Sequence, residues 1–397
     1  MAIDVEAARA DTPGVRYVAH LNNAGAALPP APVTETVIAH LRAEERIGGY
    51  EAAAAADEQL EHTYDAIATL LGARREQIAL VDSATRAWQS AFYGFRFAPG
   101  QRILTSRAEY VSNAIALLQV TRRTGATVEV VDDDSSGQLN LVDLRRRLAG
   151  GNVALVAITH VPTQGGLVNP AADVGAACRE AGVPFLLDAC QSVGQLPLDV
   201  VALGADLISA TGRKWLRAPR GTGFLYVGPR LLELLEPAYL DMRAAQWTAP
   251  DRYEVRPDAR RFETWEANVA SRIGLGVAVD YALGWGLDAI AERVGVLADG
   301  LRTRLNAVPG VAVHDRGERR CGIVTFTVSG RSATDVAAAL AAAGVNVSVS
   351  TAGSARYDLP ARGLTELVRA SPHYYNVDAE LDRLVSALPP PLRTPAG

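Results

Sequence analysis

Between residues 78 and 228 short apolar runs alternate with stretches in which apolar residues recur every three to four positions. The runs are "IALVDS", "RILTS", "TVEVVD", "VALVAITHV", "PFLLDA", "ADLISAT" and "GTGFLYVG". The intervening spacing predicts helices over residues 85–97, 109–123, 140–150 and 170–181. Seven strands with helices between most of them imply an α/β fold whose sheet is mostly parallel. A long helical pattern over residues 267–305 leads into a smaller C-terminal α/β unit. Its strands are expected near 311–314, 321–328 and 345–350, with a last helix after Val377. The division that follows is an N-terminal segment 1–20, a large unit 21–260 and a small unit 261–397.

Composition narrows the partners. The chain of 397 residues carries a formal charge of -5 and no basic cluster, which argues against nucleic acid or an anionic membrane and for a small molecule. The opening "MAIDVEAARADTPG" lacks a signal-peptide pattern and no apolar run reaches bilayer length, so the expected location is cytoplasmic. Cys178, Cys190 and Cys321 lack the paired spacing of a zinc or redox motif.

Of the 39 Lys+Arg positions, a single one is lysine, Lys214. Arginine replaces lysine freely on a surface, but a guanidinium keeps its proton and cannot condense with an aldehyde. In parallel sheets ligands bind beyond the carboxyl ends of strands. Lys214 follows the sixth run, and Asp188 ends the fifth, with Gln191 three residues on. An amine that condenses with an aldehyde and a carboxylate that keeps a ring nitrogen protonated are what pyridoxal phosphate requires. Alone, an Asp at a strand end is more often a turn or capping residue, and the pairing with Lys214 reverses that reading. The turn "DSATRA" before a helix offers Ser83, Ala84 and Thr85 as a phosphate cradle, or a plain helix cap. Thr211 and Arg213 could add a hydroxyl and a cationic fork to the same phosphate.

These residues resemble the fold-type I pyridoxal phosphate enzymes of the class V aminotransferase and cysteine desulfurase group. The resemblance runs from "YVAHLNNAGAALPP" through "SATRA", "TSRAEYVSN", "THVPTQGGLVNP", "LLDACQSVGQLPLDV", "SATGRKWLRAPRGTGFLYV" and "RRFETWEAN" to "VRASPHYYNVDAELDRL". It implies that Lys214 joins the cofactor and Asp188 pairs with its ring nitrogen. Gln191 would face the phenolic oxygen, and Thr85, Thr211 and Arg213 would hold the phosphate. Tyr110 would stack on the ring where many members carry histidine, Thr163 would stand near the cofactor, and Arg369 would bind the substrate carboxylate. Asn23, Gly25 and Arg356 are further substrate-side candidates, as are Asn22 and Tyr357. A homodimer with sites at the interface is also implied, although Glu266 stands where the family's hydroxyl donor to the phosphate would be.

The segment "VSVSTAGSARYDLPARGLTELVRAS" contains no cysteine to accept sulfur. On that ground cysteine desulfuration is set aside. The motifs around Lys214, Trp265 and Arg369 look most like the ergothioneine-pathway carbon-sulfur lyases. The expected activity is then β-elimination from a cysteine S-conjugate to a thiol, pyruvate and ammonia, with Lys214 as the base. Transamination, epimerisation or decarboxylation remain open alternatives, as does a non-catalytic protein that keeps the fold.

Overall fold

The computed structural model describes residues 2–392. Each of the seven runs forms a strand: β1 (Ile78–Val81), β2 (Arg102–Ser106), β3 (Thr127–Val131), β4 (Val153–Thr159), β5 (Phe185–Asp188), β6 (Leu207–Thr211) and β7 (Gly223–Val227). They join in one sheet in the order β1-β7-β6-β5-β4-β2-β3. Within it β7 runs antiparallel to both neighbours and the other pairings are parallel.

The apolar runs divide by period two between two cores. Phe185 and Leu187 face one, with Ile158, Ile208, Tyr226 and the helices α2 (Asp57–Leu71) and α7 (Val269–Trp285). Leu186 faces the other, with Leu155, Leu207, Leu225 and the helices α3 (Ala84–Phe92) and α4 (Val111–Thr124). The central strands are dry on both faces, while the edge strand β3 is partly exposed and carries Thr127 and Glu129 on one of its faces. The remaining crossovers are α5 (Leu141–Ala149) and α6 (Ala171–Ala181), and α1 (Ala31–Ile47) packs along α7.

The pattern over 267–305 is two helices, not one. Gly286 sits at φ +84°, a conformation open to glycine, and turns α7 into α8 (Leu287–Asn306) with a 79° bend. No single helix among the described residues is long and apolar enough to cross a membrane. A second sheet of four strands follows: β8 (Val311–Val313), β9 (Val324–Val328), β10 (Ser348–Thr351) and β11 (Glu366–Ala370), in the order β8-β9-β11-β10. Its central strand β11 carries Arg369. It was not expected as a strand, because its apolar run of two residues is broken by that arginine. The helices α9 (Ala333–Ala342) and α10 (Asp378–Ser386) complete the unit.

Candidate active site

The carboxyl ends of β5 and β6 and the amino end of α3 meet around a cavity of about 210 Å³. Ser83, Ala84, Thr85, Tyr110, Asp188, Thr211, Arg213 and Lys214 line it, together with Asn113, Cys190 and Arg220. Residues as far apart in sequence as Ser83 and Arg220 thus converge, because the strands they follow belong to one sheet.

Lys214 begins a turn beyond β6. The turn is closed by the Arg217 N–H donating to the Lys214 carbonyl and the Ala218 N–H donating to Gly212. Arg217 is buried at φ +61°, a strained conformation for a side chain of this size. It is held there by donating to the Leu28 carbonyl (2.9 Å), the Tyr374 hydroxyl (2.7 Å) and the Thr12 hydroxyl (2.5 Å). Lys214 is 6% exposed, and the proton affinity of its amine lies below the ordinary lysine value. Burial is the largest cause, and the guanidinium groups of Arg213 and Arg369 add to it against an opposing pull from Cys190. A lysine that loses its proton more readily is a better nucleophile and base.

Asp188 is likewise buried, which pushes its carboxyl up, while two donors hold its oxygens. The Asn113 amide donates to Oδ2 at 2.8 Å and the Cys190 N–H to Oδ1 at 2.9 Å. At the start of α3 the Ser83 hydroxyl accepts from the Arg86 N–H at 3.1 Å. The first-turn N–H groups of Ala84 and Thr85, which have no partner within a helix, are left at the cavity wall. Gly223 makes this approach possible. A Cβ there would stand 2.7 Å from the Ser83 carbonyl carbon and 3.0 Å from the Ala84 nitrogen. The cavity thus joins a deprotonatable amine, a buried carboxylate and a helix N-terminus able to bind an anion, and these groups fit pyridoxal phosphate. That cofactor supplies an aldehyde that condenses with an amine and a ring that delocalises charge from the substrate's α-carbon.

The other candidates are placed unevenly. Arg369 is buried and its guanidinium is pushed down to about 10, chiefly by burial and then by Arg213. It donates to Thr163 Oγ1 at 2.5 Å and to Asn22 Oδ1 at 3.1 Å, while its Nε has no protein partner. Arg213 lines the cavity, yet its guanidinium donates to the Gly25 carbonyl. Gln191 is not on the cavity wall. It donates to the Ala24 carbonyl (3.0 Å) and Thr163 Oγ1 (3.1 Å) and accepts from the Trp215 indole (3.0 Å). Asn23 is fully buried in a knot with Ser371, Asn376, Tyr375 and the His20 carbonyl. Its neighbour Asn22 is the one that reaches Arg369.

Arg356 is exposed, and Tyr357 is half-buried near Glu109. Glu266 is exposed at a neighbouring cavity that shares Asp82 and Gly221 with the first and includes Arg86 and Arg272. Sequence reading missed Glu109, Asn113, Cys190 and Arg220. Only the four-residue spacing of Glu109 and Asn113 at a helix start hinted that those two share a face.

The model of the class-V aminotransferase family matches residues 19–384. A probable cysteine desulfurase of Xylella fastidiosa is 32% identical over 336 residues, covering 84% of this chain and 80% of the relative. That of a second strain is 30% identical over 397 residues, covering 97% and 95%. The apo structure of a cysteine desulfurase from Thermococcus onnurineus NA1 superposes with a TM-score of 0.88 at 25% identity, covering 97% of each chain.

These relatives overturn the expectation of a cysteine-conjugate lyase, in which desulfuration was set aside. They also give no support to the ergothioneine-pathway subgroup. The error has a physical source. A missing thiol in one loop removes one route by which sulfur is handed on, and leaves the chemistry at the Lys214 amine untouched. With the family model spanning residues 19–384, the chain belongs to the class V aminotransferase family and is a pyridoxal-phosphate-dependent enzyme of fold-type I.

Proposed function

We propose that this enzyme removes sulfur from L-cysteine. The observation that carries the reading is the grouping of buried Lys214 and Asp188 beyond the carboxyl ends of β5 and β6, with buried Arg369 of β11 near enough to act on the lysine by charge, in a chain whose relatives are named for that activity. Lys214 is the amine that joins the cofactor and the base that takes the substrate's α-proton. Asp188 holds the ring nitrogen's proton. The first-turn N–H groups of Ala84 and Thr85, with Ser83 and Thr211, would hold the phosphate, and Tyr110, which lines the same cavity, would contact the ring. Arg369 takes the α-carboxylate through the free side of its guanidinium, with Asn22 and Thr163 holding its orientation. A homodimer belongs to the same reading, and the apolar side chains that α1 leaves exposed, Ile38, Leu41 and Ile47, support it.

Sulfur needs an acceptor. The last cysteine of the chain is Cys321, and its thiol is buried and pushed up to about 12. Cys190 lines the cavity, but burial raises its thiol pKa too, with the opposing pull of Lys214 smaller. The acceptor in this reading is an external thiol. The Cβ–S bond of cysteine breaks, the sulfur joins RSH to give RSSH, and the β-carbon takes a proton, so that alanine is the second product.

The test is to incubate the purified holoenzyme with L-cysteine and dithiothreitol and to measure sulfide and alanine. Equal amounts of both are expected, with the Cys190→Ala variant within about twofold of wild type, because removing a side chain that takes no part leaves the barrier nearly unchanged. Pyruvate and ammonia in place of alanine would exclude the reading, and loss of sulfide in Cys190→Ala would move the acceptor role onto the chain.

A further inference from the structure

Two buried carboxyl groups share one amide at the cavity wall. Asn113, on the first turn of α4, points Nδ2 at both: one N–H donates to Asp188 Oδ2 at 2.8 Å and the other to Glu109 Oε1 at 2.9 Å. Glu109 Oε1 also accepts from the Tyr110 N–H at 2.7 Å and from the Thr159 hydroxyl, and Oε2 accepts from the Thr105 hydroxyl at 2.8 Å. Glu109, Asn113 and Asp188 are 4%, 2% and 4% exposed, so the set is shielded from water. The ionisable groups around Asp188 are Glu109, Cys190 and Lys214, and Glu109 in turn faces Tyr357. Within this set the amide of Asn113 is the one uncharged side chain that stabilises the ionised Asp188, and its rotamer is fixed by the carboxyl on its far side.

We propose that Asn113 is a positioning residue that keeps Asp188 ionised toward the cofactor's ring nitrogen, and that Glu109 anchors the amide through Oε1. The inference rests on Lys214 and Asp188 holding the cofactor as described above. A carboxylate that loses one of two hydrogen bonds in a dry site binds a proton more readily. With the cofactor bound, its ring nitrogen would then be less protonated and would withdraw less electron density from the Lys214 nitrogen, which would hold its own proton more tightly. Glu109 acts on Asp188 by charge in the opposite sense. In Glu109→Gln, the retained Oε1 still accepts from Asn113 and Tyr110, and the new amide donates to Thr105, whose hydroxyl can reverse its role.

The experiment is a pH titration of the visible band of the bound cofactor in holoenzyme variants, with thermal melting and cofactor dissociation followed in parallel. Asn113→Leu, of matching size without a donor, and Asn113→Ser, too short to bridge, should raise the midpoint by about one pH unit. Asp188→Asn should raise it further. Glu109→Gln should leave the midpoint where it is or lower it. Midpoints of both Asn113 variants within about 0.2 unit of wild type would overturn the proposal, since one hydrogen bond to a buried charge is worth more than that. A rise in Glu109→Gln equal to that of Asn113→Leu would overturn it as well, by placing the control in the carboxyl and not in the amide. Should the Asn113 variants not fold, a rise of about one pH unit in Glu109→Gln would overturn the proposal, and an unchanged or lowered midpoint would support it. An unchanged midpoint in Asp188→Asn would instead refute the cofactor assignment on which the inference stands.

Discussion

A lysine at 6% exposure with two guanidinium groups beside it is destabilising as long as it carries its charge. Its folded proton affinity lies below its unfolded one, so between those two values the unfolded chain holds more protons and stability rises with pH; below both, the full penalty is present. Near neutral pH the cofactor-free protein therefore gains from losing the charge. Lys214→Met, measured without cofactor, should melt about 1–3 °C higher than wild type, and a lower melting temperature would show that the amine is stabilised by partners in the fold. Lys214→Arg should fold and yet show no visible cofactor band, with sulfide release down by a factor of about 10²–10⁴. The two variants separate stability from function at a single side chain.

At the scale of elements, the site depends on how closely a strand and a helix end approach. The hydrogen at Gly223 is all that fits between β7 and the Ser83–Ala84 backbone, since a Cβ would also stand 2.7 Å from the Ala210 carbonyl oxygen. Backbone atoms on both sides cannot swing away. In Gly223→Ala the first turn of α3 must retreat, and the phosphate loses donors arranged at hydrogen-bond distance. The cofactor should dissociate about tenfold more readily, read by loss of the visible band on dilution, while alanine's higher strand preference offsets part of the cost to folding. Unchanged affinity would take the phosphate away from α3.

The elements around this contact were legible because dry strands and amphipathic crossovers leave periodic marks. β11 left none, since its arginine interrupts the run, and Gly286 inside an apolar helical pattern gave no sign that its φ is positive. At the site, Lys214 and Asp188 were visible as strand-end residues of the right chemistry. The Asn113 bridge, the locked state of Asn23 and the bond from Arg213 to Gly25 were not, because each depends on side chains from elements distant in sequence meeting in three dimensions.

Across the whole molecule, the response to acid is set by groups whose proton affinity differs between the folded and unfolded chain. Asp143, donated to by the Asp132 N–H, Arg147 and Arg146, is held down to about 2 despite its burial, and Glu61 and Glu129 are lowered first by their arginine partners. Lowered carboxyls contribute stability that is present above their unfolded pKa and lost as pH falls through the folded one, so they act below about pH 4. The buried histidines act earlier. His160 is pushed down to about 4 by burial and then by Arg319, and its Nδ1 lies 3.0 Å from the Ser192 hydroxyl.

As pH falls below the unfolded value of 6.5, the unfolded chain takes up a proton that the folded chain refuses, and stability drops until about pH 4. The raised carboxyls of Glu109 and Asp188 work the other way, gaining stability as pH falls through their folded values. His160 alone should contribute a loss of about 3 kcal/mol between pH 7 and 4. Denaturant unfolding of His160→Asn, which keeps a polar partner for Ser192 and cannot be protonated, should show that much less acid sensitivity over this interval. Equal slopes in the two proteins from pH 7 to 4 would mean that His160 is protonated in the folded state, and that the acid response comes from the carboxylates alone.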